Sequence, residues 1–183
     1  MGKKNLEVIF ALFFTKMLVF TLRNIFKTNA TSLPGKLLLK MFPSFPDLTN
    51  ERCKNGIVTI TGTNGKTTTS GLIAEIFACD DKKIVHNAQG ANMLTGIVTA
   101  VASQLPFTDK VDNFIFESDE AYLSKIYDHF KAEYLVVTNL FRDQLDRYGE
   151  LATTAKKIKD AILKNSNQTN MQAKMLFGLP TLK

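Results

Sequence analysis

The segment Gly62-Thr63-Asn64-Gly65-Lys66-Thr67-Thr68 combines the parts that a nucleoside triphosphate needs. Small residues let backbone N–H groups approach phosphate oxygens, a helix starting behind them aims further N–H groups the same way, and Lys66 adds a cation. The hydroxyl of Thr67 is placed to reach Mg²⁺. Read strictly, the segment departs from G-x-x-x-x-G-K-[ST], because Ile60 stands where the first glycine is expected. A second cluster, Glu117-Ser118-Asp119-Glu120, calls either for a cation or for a helix N-terminus to cap. A third runs from Thr138-Asn139 through Arg142, Asp143, Asp146 and Arg147, where Asp143 and Arg147 can also pair across one helical turn. The stretch Asn87-Ala88-Gln89-Gly90-Ala91-Asn92 has the amides and small residues of a loop that admits a bulky substrate beside phosphates.

The elements that position these clusters alternate. A β-branched run over 57–61 is followed by helical spacing over 67–78, with Leu72, Ile73, Ile76 and Phe77 as its apolar residues. Strands at 83–86, 114–117 and 134–140 are each followed by a helix, at 94–104, up to Phe130, and at 150–164. Repeated β then α predicts an α/β fold with a parallel sheet flanked by helices. Such sheets bind ligands at the carboxyl ends of their strands, so residues just after Thr61, His86, Phe116 and Thr138 are expected to converge on one crevice. Ahead of the sheet lie an apolar and basic helix over 6–22, a turn at Pro34-Gly35 into a short helix over 36–41, and a linker broken by Pro43, Pro46, Asp47 and Asn50. The division expected is a helical segment with linker over 1–50 and an α/β domain over 51–183. The tail offers one further strand, 174–177, with no helix after it.

Composition narrows the choice of partners. The chain has 183 residues, 45% of them hydrophobic and 22% charged, with a formal charge of +6. That balance supports a packed core and favours anionic partners without choosing among them. Nucleic acid is not expected, since no basic stripe with interleaved aromatics occurs outside the first helix. Cys53 and Cys79 lie far apart, and neither His86 nor His129 has metal-ligand spacing, which points to a reducing, cytoplasmic setting without a zinc site. The first apolar run is interrupted by Glu7 and Lys16, too short and charged for a membrane span. It also lacks a small-residue cleavage site and is followed by Arg23 and Lys27, unlike a secretory signal. Lys3, Lys4, Lys16, Arg23 and Lys27 around an aromatic stripe suit either an anionic membrane surface or packing on protein.

The spelling G-T-N-G-K-T resembles the short phosphate loop of Mur ligases, and Thr138-Asn139 followed by Asp143-Gln144-Leu145-Asp146 resembles their T-N-x-x-x-D-H-L-D segment. With E-S-D-E-A at 117–121, N-L-F-R-D-Q-L-D-R-Y-G-E at 139–150 and T-S-L-P-G-K at 31–36, the chain looks like the MurT subunits of lipid II isoglutaminyl synthase. The resemblance implies an ATP-dependent amide ligase of peptidoglycan synthesis, phosphorylating the D-glutamate α-carboxylate of lipid II so that ammonia from a glutaminase partner, GatD, displaces the phosphate. It implies ATP held by Gly62, Thr63, Asn64, Gly65, Lys66, Thr67, Thr68 and Asn139, and Mg²⁺ by Thr67 and Glu117. Lys66 and Glu117 would be the catalytic residues, with Asn87, Asn92 and Asp143 towards the acceptor. Gln144 replaces the histidine most relatives use near a second metal ion, so a second ion is not expected. The four-cysteine zinc ribbon and C-terminal domain of such subunits have no counterpart in this sequence, so an incomplete central domain without zinc ligands is expected. A folylpolyglutamate-synthase-like ligase is the rival, although that family usually has glycine where Thr67 stands. A nucleotide-binding fragment without catalysis is the other alternative.

Overall fold

The β-branched run at 57–61 forms β1 (Ile57–Thr61) in the computed structural model of the protein, buried along its whole length. The structure describes residues 3–28, 30–87, 91–140 and 148–166. Among these residues the other strands are β2 (Ile84–His86), β3 (Asn113–Glu117) and β4 (Tyr134–Val137), giving a four-stranded sheet of order β2-β3-β1-β4. All pairings are parallel, and the register sets Ile60 beside Glu117 and Thr61 beside Val137, so the carboxyl ends of the central strands lie level.

Strand order dictates where the helices go. The chain leaves β1 through α4 (Lys66–Cys79) and passes over β3 to reach the edge at β2. It then returns through α5 (Leu94–Gln104) to β3 and through α6 (Leu123–Ile126) to β4. Right-handed crossovers running in opposite directions fall on opposite faces. Accordingly Val58, Ile60 and Ile115 pack with Ala74, Ile73 and Phe77 of α4 on one face. Phe114, Phe116, Leu135 and Val137 pack on the other face with α5, α6 and α7 (Tyr148–Ser166). β1 therefore exits towards one face while its neighbours β3 and β4 exit towards the other, which opens a crevice at the carboxyl end of β1.

The N-terminal helices share the larger core. α1 (Lys3–Asn24) contributes Val8, Ala11 and Leu12, and α2 (Leu33–Met41) contributes Leu38. Gly35 is the closest approach of α2 to α5: a Cβ there would stand 1.9 Å from the Thr95 carbonyl oxygen, and the Gly35 N–H donates to Thr99 Oγ1 at 2.8 Å. The Pro34-Gly35 turn of the sequence is thus the first turn of a helix, with proline where its missing N–H costs nothing.

Several elements depart from the sequence reading. The stretch expected as a linker folds into α3 (Phe45–Thr49) and a 3-10 turn (Asn50–Arg52), because Phe45 is apolar and fully buried while Pro46 again occupies a helix start. The helix expected up to Phe130 stops at Ile126, and the turn beyond it buries Tyr127 and Phe130. On α4, Ser70, Ile73, Ala74 and Phe77 form the inward stripe, whereas Leu72 and Ile76 are 60% and 67% exposed. α1 is longer than the expected 6–22 and is long and apolar enough by length and composition to cross a membrane. The strand expected over 174–177 lies outside the described residues.

Candidate functional site

The loop from Gly62 to Gly65 is built on the end of β4. Gly62 has φ +129°, and a Cβ on it would stand 2.3 Å from Thr138 Oγ1 and 2.7 Å from the Asn139 carbonyl oxygen. Only glycine allows that approach at that φ. The Thr63 N–H donates to the Asn139 carbonyl at 2.9 Å. The Asn139 side chain accepts from the Asn64 N–H and donates to the Asn64 carbonyl, both at 3.0 Å. Thr138 Oγ1 donates to the same carbonyl at 2.7 Å. One asparagine amide thereby replaces the strand partner that the loop has lost.

Gly65, at φ +80°, turns the chain into α4 and, as its N-cap, offers no side chain to cap it. The N–H groups of Lys66, Thr67 and Thr68 come too early in the helix to find an acceptor in a preceding turn, and they carry the positive end of its dipole. The Lys66 side chain curls back over the loop, donating to the Gly62 carbonyl at 2.5 Å and the Thr63 carbonyl at 3.2 Å. Its Nζ lies 3.7 Å from a Glu120 carboxylate oxygen, both side chains being largely buried.

β3 delivers the acids. Glu117 is buried at the strand end, and its Oε2 has no hydrogen-bond partner among the described residues. Its backbone is clamped by Asn87: the Glu117 N–H donates to Asn87 Oδ1, and Asn87 Nδ2 donates to the carbonyls of Glu117 and Ala91, each at 2.8 Å. Next in the chain, the Ser118 N–H donates to the Ile60 carbonyl at 2.8 Å and Thr61 Oγ1 donates to the Ser118 carbonyl at 3.0 Å. These bonds tie the acidic loop to the phosphate-type loop. Burial lowers the pKa of His86, at the end of β2, and the charge of Glu117 opposes that shift.

The acids of the cluster divide their work. Asp119 Oδ1 accepts from the Ala121 N–H at 2.8 Å and the Asp119 N–H donates to the Asn92 carbonyl at 3.1 Å, so Asp119 caps the following turn. Glu120, for which capping and ligand contact were equally open in the sequence, reaches Lys66 instead. Asn87 was expected towards the acceptor, but both ends of its amide are engaged with backbone and its side chain is buried. Asn139, expected at the nucleotide, braces the loop. Asp143, with Arg142, Gln144, Arg147 and Ala88 to Gly90, lies outside the described residues. Thr138 was missed as a brace, although a hydroxyl residue directly after a strand is its sequence signal.

Glu117 Oε2 is a buried, orphaned oxygen, and the Thr67 hydroxyl stands exposed in the first turn of α4. Hard oxygen donors of this kind fit Mg²⁺, which takes one or two protein ligands and completes its shell with phosphate and water. Among the described residues no group of three or more His, Cys, Asp or Glu side chains forms a ready-made metal cage.

The Mur ligase middle domain family matches residues 60–175, which spans the loop, the acidic cluster and all four strand ends except the start of β1. The chain belongs to the Mur ligase family. This Mur ligase chain is 40% identical over 137 residues to "Lipid II isoglutaminyl synthase (glutamine-hydrolyzing) subunit MurT" of Streptococcus pneumoniae, covering 74% of this chain and 30% of that one. The corresponding MurT of Staphylococcus aureus is 37% identical over 134 residues, covering 73% and 30%. A UDP-N-acetylmuramoylalanine--D-glutamate ligase of Geotalea uraniireducens is 40% identical over 93 residues, covering 50% and 18%. The chain thus spans 30% of the length of its MurT relatives. Among solved structures, MurF from Acinetobacter baumannii superposes with a TM-score of 0.56 at 12% identity, over 80% of this chain and 35% of that one. MurF from Thermotoga maritima, solved in complex with ADP, gives 0.50 at 15% identity, over 72% and 35%. These likenesses establish the α/β fold.

Proposed function

We propose that this Mur ligase chain holds the β- and γ-phosphates of ATP at the start of α4, as part of a MurT-like ligase that amidates the D-glutamate α-carboxylate of lipid II. The observation that carries the reading is the Lys66 amine 3.7 Å from Glu120 of the acidic loop, behind a glycine N-cap, with the orphaned Glu117 oxygen at the end of the strand beside β1. The N–H groups of Lys66, Thr67 and Thr68 bind phosphate oxygens, and Lys66 turns from its carbonyl partners to the transferring phosphoryl group. Thr67 and Glu117 would hold Mg²⁺, which would supply charge neutralisation at the phosphates. Asn139 and Asn87 are positioning residues, while Asn92 serves the acceptor. The acceptor carboxylate attacks the γ-phosphorus, ADP leaves, and ammonia from a GatD-like glutaminase then displaces phosphate to give the amide. Attack by a carboxylate requires no general base at neutral pH. Such an enzyme works in the cytoplasm at the inner membrane face, where a lipid-linked precursor is presented.

The test is a titration of the chain with ADP and ATP, with and without Mg²⁺. Lys66→Ala removes charge-assisted hydrogen bonds of about 1.5–3 kcal/mol and weakens binding about ten- to a hundredfold. Glu117→Gln abolishes the gain in affinity from Mg²⁺. Equal affinities for wild type and both variants would defeat the proposal.

A further inference from the structure

α1 is apolar on two opposite sides. Val8, Ala11, Leu12, Thr15 and Val19 recur at helical spacing on the buried side. On the other side Leu6, Phe10, Phe13, Met17 and Phe20 are 47%, 59%, 57%, 52% and 61% exposed, with the same periodicity. No polar residue interrupts that stripe over roughly 21 Å of helix. Ile25 and Phe26, also exposed, continue it past the helix end. A contiguous aromatic face of this size on a protein surface marks a place that something covers.

We propose that the outer face of α1 lies in the boundary between headgroups and acyl chains of an anionic bilayer, with the helix parallel to the membrane plane. Charge selects this occupant. The exposed basic residues Lys4, Arg23 and Lys27 stand at the two ends of the stripe. The single acid of the helix, Glu7, is turned away to accept a hydrogen bond from Ser44. The chain carries a formal charge of +6. The buried side decides the orientation. By length and composition the helix could cross a membrane, yet doing so would strip Val8, Leu12 and Val19 from the core. Lys16 is likewise committed inward: it donates to the Ser103 carbonyl at 2.9 Å and sits over the Phe107 ring at 5.3 Å, so it is not a headgroup contact. An interfacial helix keeps its core contacts and buries only the stripe.

The inference deepens the membrane-face location proposed above. Its test uses neither nucleotide nor precursor, so either reading can fail alone. Deleting α1 would remove core residues; point substitutions in the stripe avoid that. The sequence contains no tryptophan, so Phe13→Trp introduces a single emitter. Phosphatidylcholine vesicles containing phosphatidylglycerol are expected to shift its emission to the blue and shield it from acrylamide. Ile76→Trp, on the exposed side of α4, is expected to stay unchanged. Phe10→Ser combined with Phe13→Ser and Phe20→Ser is expected to lower vesicle partitioning at least about tenfold with circular dichroism and melting preserved. Replacing Lys27 with Glu is expected to cost about fivefold or more, only when the anionic lipid is present. Unmoved Phe13→Trp emission, equal shifts at both tryptophans, or unchanged partitioning of the serine variant would overturn the proposal. So would a blue shift that appears on concentrating the protein without lipid, because the face would then be covered by a second copy.

Discussion

At the scale of single residues, Lys66 is engaged by groups of its own chain. Two loop carbonyls accept from its amine, and Glu120 places a negative charge 3.7 Å away. The carbonyls alone suffice to hold the amine over the loop, so Glu120 is not needed for its placement. What Glu120 does add is a charge that phosphates arriving without a counter-ion must meet. Glu120→Gln is therefore expected to tighten ADP binding measured without Mg²⁺ by about two- to fivefold, the range of a partly screened ion pair. In the presence of Mg²⁺ the gain is expected to shrink, since the ion offsets the same charge. Paired titrations with and without the metal check both statements. Weaker binding by the variant would instead assign Glu120 to the ligand-holding set.

At the scale of elements, the site depends on how the loop after β1 is braced by the end of β4. Gly62→Ala forces a side chain to φ +129° and into Thr138 Oγ1, so the loop must move away from β4. Strain of this kind costs about 1–3 kcal/mol. The expected result is a melting temperature lower by a few degrees and nucleotide affinity lower by tenfold or more, with the far-ultraviolet dichroism of the sheet retained. Asn139→Ala removes the brace from an exposed Asn64, where water can take over the lost bonds. It is expected to leave the melt nearly unchanged and to reduce affinity severalfold. Equal effects of the two substitutions on melting would show that the brace, not the glycine, carries the loop. The strands were legible because β-branched runs bounded by glycine and polar residues declare themselves, and the phosphate-type loop because its spacing is uncommon. The brace was not, since the amide of Asn139 could equally face a ligand until β4 was set beside β1. The backbone clamp made by Asn87 was hidden for the same reason. The folding of 45–52 was hidden by Pro43 and Pro46, which read as breakers although a proline at a helix start is neutral. Leu72 and Ile76 read as core because the sequence does not reveal that, among the described residues, no second helix packs with α4 on its face of the sheet.

At the scale of the whole molecule, that asymmetry has a consequence for activity. Among the described residues one face of the sheet packs against α5, α6 and α7, with α1 and α2 stacked outside α5, whereas beside α4 a groove of about 420 Å³ runs along Val58, Ile73, Phe77, Tyr134 and Val136. The residues meant for phosphate are equally open, with Asn64, Gly65, Thr67 and Thr68 all exposed. Water at the reacting centre raises the local dielectric, which weakens the stabilisation that Lys66 and a bound Mg²⁺ give a phosphoryl group in transfer. It also hydrolyses an acyl phosphate before ammonia can reach it. The MurT relatives are more than three times as long as the matched segment, which is 30% of each. We therefore expect the 183 residues to bind nucleotide yet to form no amide from lipid II, ATP, Mg²⁺ and a purified GatD-type glutaminase. Nucleotide titration and an amidation assay on one sample separate the two functions: binding without product is the expected pair of results. Amide above the protein-free control would show that an open crevice can still protect the intermediate, and the electrostatic argument would fail with it.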